Sequence, residues 1–181
     1  MKVVGLSGSL RQDSYNSMAL RAAQRIAPAG MTIDIVDIRA IPLYDEDVRS
    51  KGEPAAVVEL KERIRDANAI LIATPEYNFS IPGVLKNTLD WLSRPPLAPF
   101  EEKLVAIMGA SAGATGTARA QLDLRKVLVF LNALTVNKPE VLIRDAAGKF
   151  DAQGELTDET TRRFIGDLLN SLQRMEGRLR G

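Results

Sequence analysis

Ala69-Ile70-Leu71-Ile72-Ala73 is apolar at every position, and Thr74-Pro75-Glu76-Tyr77-Asn78-Phe79-Ser80-Ile81-Pro82-Gly83 follows it directly. Five consecutive apolar residues ended by a Pro-containing turn read as a strand buried on both faces, the pattern of a parallel sheet. A strand with no polar side must be covered by helices above and below it. The flanking sequence supplies them. Upstream, Pro54 stands where a helix would begin, and Val57, Leu60, Ile64 and Ala67 continue it. Downstream, Ile81, Val84, Leu85, Leu89 and Leu92 mark another, with Pro82 in its first turn.

The same alternation extends outward. Lys2–Leu6 reads as a short buried strand, and Ala19, Ala22, Ala23 and Ile26 recur on one helical face from Tyr15 onward. Thr32–Ile38 alternates as a second strand. Arg94–Glu102 carries Pro95, Pro96 and Pro99 and reads as a surface loop. Leu104–Met108 is the fourth strand, Thr115–Ala133 a helix, and a short fifth strand falls within Leu134–Ile143. Thr157 can cap a final helix lined by Phe164, Leu168, Leu172 and Met175, with Asp158 and Glu159 in its first turn. Five strand-helix units predict an α/β fold: a five-stranded parallel sheet with helices on both faces. Its 181 residues fit one domain over 1–181. In the strand order 2-1-3-4-5, the loops after strands one and three meet at the switch point, where ligands bind.

Composition narrows the chemistry. There is no Cys and no His, which removes disulfides, thiolate zinc sites, cysteine nucleophiles and every His-based triad. Catalysis must come from hydroxyls, carboxylates, Lys, Arg, Tyr, backbone amides or a cofactor. A net charge of +1, from 24 basic and 23 acidic residues, gives no nucleic-acid footprint. No apolar run approaches the roughly 20 residues of a membrane span. Met1–Leu6 has no signal-peptide layout, so the expected setting is cytoplasmic.

Three loops share the carboxyl edge. The first, Gly5-Leu6-Ser7-Gly8-Ser9-Leu10-Arg11-Gln12-Asp13-Ser14-Tyr15-Asn16-Ser17, is rich in Gly and hydroxyls and leads into a helix. A helix N-terminus offers unpaired N–H groups to an anion. Ser9, Ser14 and Ser17 add hydroxyls, Asn16 an amide, and Arg11 a fork for a phosphate. So many donors suit a terminal phosphomonoester; a plain capped helix start accounts for Ser14 and Asn16 as well. It is neither GxGxxG nor a GK[ST] phosphate loop. The second, Thr74–Gly83, places two aromatics, a carboxylate and an amide between two prolines, which suits a flat heteroaromatic ring or a turn whose Tyr77 and Phe79 cover the sheet end. The third, Gly109-Ala110-Ser111-Ala112-Gly113-Ala114-Thr115-Gly116, lets backbone approach a ligand, or a helix pack close on a strand.

Gly8-Ser9-Leu10-Arg11-x-x-Ser14-x-Asn16, followed by Thr74–Gly83 and Leu85-Lys86-Asn87, resembles the NADPH-dependent FMN reductases, and more narrowly their bacterial chromate and quinone reductases. Leu43-Tyr44-Asp45 and Ala118-Arg119-x-Gln121 extend the likeness over nearly the whole chain. The resemblance implies a flavodoxin-like fold with bound FMN and NADPH or NADH as electron donor. It implies Ser9, Leu10, Arg11, Ser14, Tyr15, Asn16 and Ser17 around the phosphate. Pro75, Glu76, Tyr77 and Asn78 would line the isoalloxazine ring, with Ser111 on its other side. Backbone N–H groups near Tyr77 and Asn78 would address N5 and O4, and the helix N-terminus after Ser111 would face N1 and O2. No catalytic side chain and no metal site is implied; Glu76 reads as a carboxylate that orients its loop. Tyr44 and Asp45 read equally as substrate rim or surface turn.

The implied activity is reduction of a small-molecule acceptor (a quinone, a flavin or a metal oxyanion such as chromate) by ping-pong hydride transfer. One alternative is a flavodoxin-like electron carrier without a pyridine nucleotide site, which usually shows an acidic docking surface. Another is a nucleotide-binding hydrolase or NAD enzyme, with Asp37 reading a ribose. Residues 122–131 hold seven apolar residues in ten, too many for one buried stripe. They predict a helix with a second buried face in a homodimer, or a homotetramer as the family implies; a buried strand over Val127–Leu131 is the other reading.

Overall fold

A computed structural model of the chain describes residues 1–180. Strands β1 (Lys2–Ser7), β2 (Thr32–Val36), β3 (Ala69–Ala73), β4 (Leu104–Ala110) and β5 (Leu134–Thr135) form a parallel sheet in the order β2-β1-β3-β4-β5. A sixth strand, β6 (Val141–Ile143), pairs with the far end of β4. Helices α1 (Tyr15–Arg25), α2 (Glu46–Arg49), α3 (Ala55–Asp66), α4 (Gly83–Leu92), α5 (Ala118–Phe130) and α6 (Glu159–Arg180) fill the connections.

The strands alternate their side chains between two cores. Val3, Leu71, Ala106 and Met108 pack with Ala19, Leu20 and Ala23 of α1 and Ile165, Leu168, Leu169 and Leu172 of α6. Val4, Leu6, Ile70, Ile72, Val105 and Ile107 pack with Leu60 and Ile64 of α3, Leu85, Leu89 and Leu92 of α4, and Leu124 and Leu128 of α5. All five residues of β3 are fully buried, as the unbroken apolar run requires. Each fully buried Leu or Ile contributes about 1.5–3 kcal/mol, so the two layers jointly fix the sheet.

Register positions the site. Ser7 lies opposite Ala73, and Ala73 opposite Met108. The loops after β1, β3 and β4 therefore leave the sheet at one level. Gly8 N–H donates to Ala73 O at 2.8 Å and Thr74 N–H to Met108 O at 3.0 Å, tying the loops together at their base.

Four expectations are corrected. The fifth strand is two pieces, β5 and β6: the chain leaves β4 after Val136 N–H has bonded Val105 O at 2.9 Å, and Pro139, which has no N–H for a ladder, lies in the gap. The Thr115–Ala133 helix is shorter at both ends. Its Val127–Phe130 segment is helical, not a strand. The cap of the last helix is Asp158, whose carboxylate accepts the Thr161 N–H at 2.7 Å, while Thr157 donates its hydroxyl to Lys149 O. Helix α2, capped by Asp45 through the Asp47 N–H at 2.8 Å, lies in a stretch for which no element is predicted. Among the described residues no helix is long and apolar enough to cross a membrane.

Candidate functional site

The loop after β1 ends at Ser14, whose backbone is extended and whose Oγ accepts the Asn16 N–H at 3.2 Å. Ser14 thus caps α1. The first turn of α1 holds no acidic residue, so its dipole end is not neutralised from within the helix. Arg11 is exposed, with no ion pair among the described residues; its guanidinium lies 6.0 Å from the centre of the Tyr15 ring. An open cleft of about 510 Å³ is lined there by Ser9, Arg11, Ser14, Tyr15 and Asn16, by Pro75, Glu76 and Tyr77, and by Ala110, Ser111 and Ala112.

Asn16 is committed elsewhere. Its Nδ2 donates to Ala110 O at 2.9 Å, and its Oδ1 accepts the Ala110 N–H at 2.8 Å. This buried two-way clamp ties α1 to the end of β4, and it holds Asn16 in place at the wall of the cleft.

The loop after β3 is a tight hairpin. Tyr77 and Ser80 exchange both backbone hydrogen bonds at 3.0 Å, and the two residues between them, Asn78 and Phe79, have φ of 51° and 68°. Two left-handed central residues define a type I′ turn. Tyr77 N–H is consumed by the turn, whereas Asn78 N–H has no partner among the described residues.

Glu76 fixes the hairpin to α5. Its Oε2 accepts the N–H groups of Arg119 at 3.0 Å and Ala120 at 3.2 Å, and its Oε1 accepts Arg119 Nε at 2.6 Å. The Arg119 guanidinium in turn lies 3.8 Å from the centre of the Phe79 ring. Burial raises the Glu76 pKa, but the hydrogen bonds from Arg119 and Ala120 outweigh it, so the carboxyl stays below its ordinary value and ionised. Glu76 is therefore the loop-orienting carboxylate. The same contacts cap the N-terminus of α5, whose Arg119 and Ala120 N–H groups are taken by Glu76.

In the third loop the close approach is of protein on protein. A side chain at Gly109 would meet Thr117 Oγ1 at 2.0 Å and Thr74 O at 2.4 Å. Ser111 still reaches the cleft; its N–H bonds Ile143 O, and its hydroxyl accepts the Gly113 N–H at 3.0 Å.

Nine of the twelve expected site residues line one cleft. Leu10, Ser17 and Asn78 do not: Leu10 points outward, Ser17 Oγ bonds Ser7 Oγ at 3.0 Å, and Asn78 is at the hairpin tip. Tyr44 is also outside it, packed edge-on against Trp91 at 4.9 Å with the Arg94 guanidinium 4.9 Å from its ring centre. Asp45 caps α2 through the Asp47 N–H. Sequence reasoning missed Arg119 as the partner of Glu76; nothing local links positions 43 apart.

The family model described as NADPH-dependent FMN reductase matches residues 1–148. An NAD(P)H-dependent FMN reductase of Pseudomonas aeruginosa is 56% identical over 181 residues, covering 100% of this chain and 98% of that protein. A quinone reductase of Escherichia coli is 48% identical over 164 residues, covering 89% and 87%. Among solved structures, the flavoenzyme NAD(P)H:(acceptor) oxidoreductase of Paracoccus denitrificans superposes with a TM-score of 0.89 at 32% identity, over 98% of this chain and 97% of that one.

Proposed function

The chain belongs to the NADPH-dependent FMN reductase family, and from that premise we propose that it reduces quinones, free flavins and metal oxyanions such as chromate by a ping-pong mechanism, as one FMN-binding domain of 181 residues acting in the cytoplasm. The observation that carries this reading is the cleft at the switch point, with an unpaired arginine at the start of α1 and a stiff aromatic hairpin opposite. FMN, when bound, would supply the hydride-transfer chemistry between NAD(P)H and the acceptor.

The protein's part is binding and orientation. Ser9, Arg11 and the capped start of α1 hold the phosphate. Pro75 and Tyr77 form one wall for the ring, and the Ala110–Ala112 backbone with Ser111 the other. Asn78 N–H, at the hairpin tip just outside the cleft lining and with no partner among the described residues, would be the donor nearest the ring edge on this reading. Glu76 keeps the hairpin in place and takes no proton.

The deciding experiment is the absorbance spectrum of the purified protein before and after NADPH. A yellow protein bleached by NADPH is expected. A colourless protein that releases no flavin on denaturation would sink the reading, and a yellow one that NADPH cannot bleach would make it an electron carrier. Donor and acceptor use the same open cleft in turn, so initial-rate plots against both should be parallel. Intersecting lines would reject the shared site.

We also propose a homodimer, with pairing into a homotetramer as an extension. Leu122, Val129 and Phe130 project from α5 with 57%, 77% and 83% of their surface exposed. That apolar face is what a second copy would cover. Light scattering at micromolar concentration should give at least twice the mass of one chain; the mass of a single chain would refute it.

A further inference from the structure

A second cleft, of about 700 Å³, opens on the other side of the first loop, between that loop and the end of β2. Its charged lining is one-sided: Arg11, Arg21 and Arg39 face a single carboxylate, Asp37. That carboxylate is already engaged. Its Oδ1 accepts the Arg39 N–H at 2.9 Å, and its Oδ2 lies 3.4 Å from Arg39 Nη1. Arg39 Nη2 also donates to Leu10 O at 3.0 Å, anchoring the residue to the first loop. Arg21 has no hydrogen bond or ion pair among the described residues. It stands four residues after Ser17 on α1, hence on the same helical face. The paired Ser7 and Ser17 hydroxyls, 3.0 Å apart, complete the cleft floor.

In Rossmann dinucleotide-binding folds, a carboxylate after the second strand takes the ribose hydroxyls, and an arginine nearby accommodates a 2′-phosphate. Here the carboxylate is taken by Arg39, and the surplus charge is positive. We propose that this cleft binds the 2′-phosphate of NADPH through Arg21, with Arg39 as its anchored neighbour. The two clefts share Ser9 and Arg11, so they adjoin along that wall. Neither Arg21 nor Arg39 lines the flavin cleft, so the FMN phosphate does not account for them. The inference rests on the NAD(P)H-dependent function above.

The test uses flavin-loaded wild type, Arg21→Gln and Arg21→Lys. Titration calorimetry measures NADP⁺ and NAD⁺ binding, and steady-state kinetics give kcat/KM for NADPH and NADH. Losing a charge-assisted contact in an open cleft should weaken NADP⁺ binding and lower kcat/KM for NADPH about tenfold in Arg21→Gln. NAD⁺ and NADH should be unaffected, and Arg21→Lys should recover part of the loss. Inorganic phosphate should compete with NADP⁺ and not with NAD⁺. Equal losses for both nucleotides, or no loss, would overturn the inference while leaving the reductase intact. So would phosphate binding in a wild type that holds NADP⁺ and NAD⁺ equally, since the cleft would then be a general anion site. A flavin-loaded wild type bleached by neither nucleotide overturns the function itself, and this inference with it.

Discussion

Gly109→Ala is expected to lower stability by more than about 4 kcal/mol, in the range where a single substitution reports a specific steric or packing failure. The new methyl would stand 2.0 Å from Thr117 Oγ1 and 2.4 Å from Thr74 O. Neither neighbour can step back. Thr74 is held by its N–H on Met108 O at 3.0 Å, at the end of the β3–β4 pairing. Thr117 is fully buried in a left-handed conformation with φ of 71°, and its hydroxyl accepts Gln121 Nε2 at 3.1 Å. For a domain of this size the loss corresponds to a fall of about 8–16 °C in Tm, read by thermal unfolding. A Tm within about 2 °C of wild type would show that the packing is looser than described. Where Gly109→Ala does not fold, the double variant Gly109→Ala/Thr117→Ala keeps the argument testable. Removing the hydroxyl relieves the shorter contact and should restore part of the stability, whereas independent sites would simply add their losses.

Gly109 also shows which parts of the site the sequence made legible. A run of small residues after a buried strand signals close approach, and the approach is there. What the backbone meets is set by residues far along the chain, and composition carries no trace of them. The same limit applies to Asn16. A helix-start asparagine reads as a cap or a ligand donor, yet its amide spans to Ala110, 94 residues away. Glu76 presents the matching case at the start of α5, where the hairpin from β3 places a carboxylate on the Arg119 N–H, 43 residues away. Lys61 lies on α3 beside Leu60. It is buried, because Glu53 and the Arg94 carbonyl receive its ammonium.

The legible features are those with a local cause. Unbroken apolar runs gave β3 and β4, since only a sheet covered on both faces buries such strands. Helical spacing after Pro54 and Pro82 gave α3 and α4, because a proline cannot continue a helix but suits its start. The edge beyond β4 was not legible in detail. Pro139 signals a break, but where the chain rejoins the sheet depends on pairing with Met108–Ala110. Most cleft residues follow from loop positions alone, because register brings the ends of β1, β3 and β4 to one level.

Arg11→Ala should weaken FMN binding roughly 10- to 100-fold and leave the fold intact. The side chain is exposed, belongs to neither core and has no ion pair among the described residues. Its ring contact with Tyr15, at 6.0 Å, is at the outer limit of a useful cation–π distance and contributes little. On the proposed reading, the substitution removes a charge-assisted pair with a phosphate, worth about 1.5–3 kcal/mol, which converts to that range of affinity. Riboflavin, which lacks the phosphate, separates the two roles an arginine can play here. If Arg11 grips the phosphate, riboflavin binds wild type and variant alike, and the Tm of flavin-free protein is unchanged. If Arg11 instead shapes the loop, both flavins weaken together and the Tm falls. Fluorescence titration of both flavins against both proteins measures the difference directly. Equal losses would remove Arg11 from the proposed phosphate site and leave only the start of α1, whose first turn holds no acidic residue, to favour an anion there.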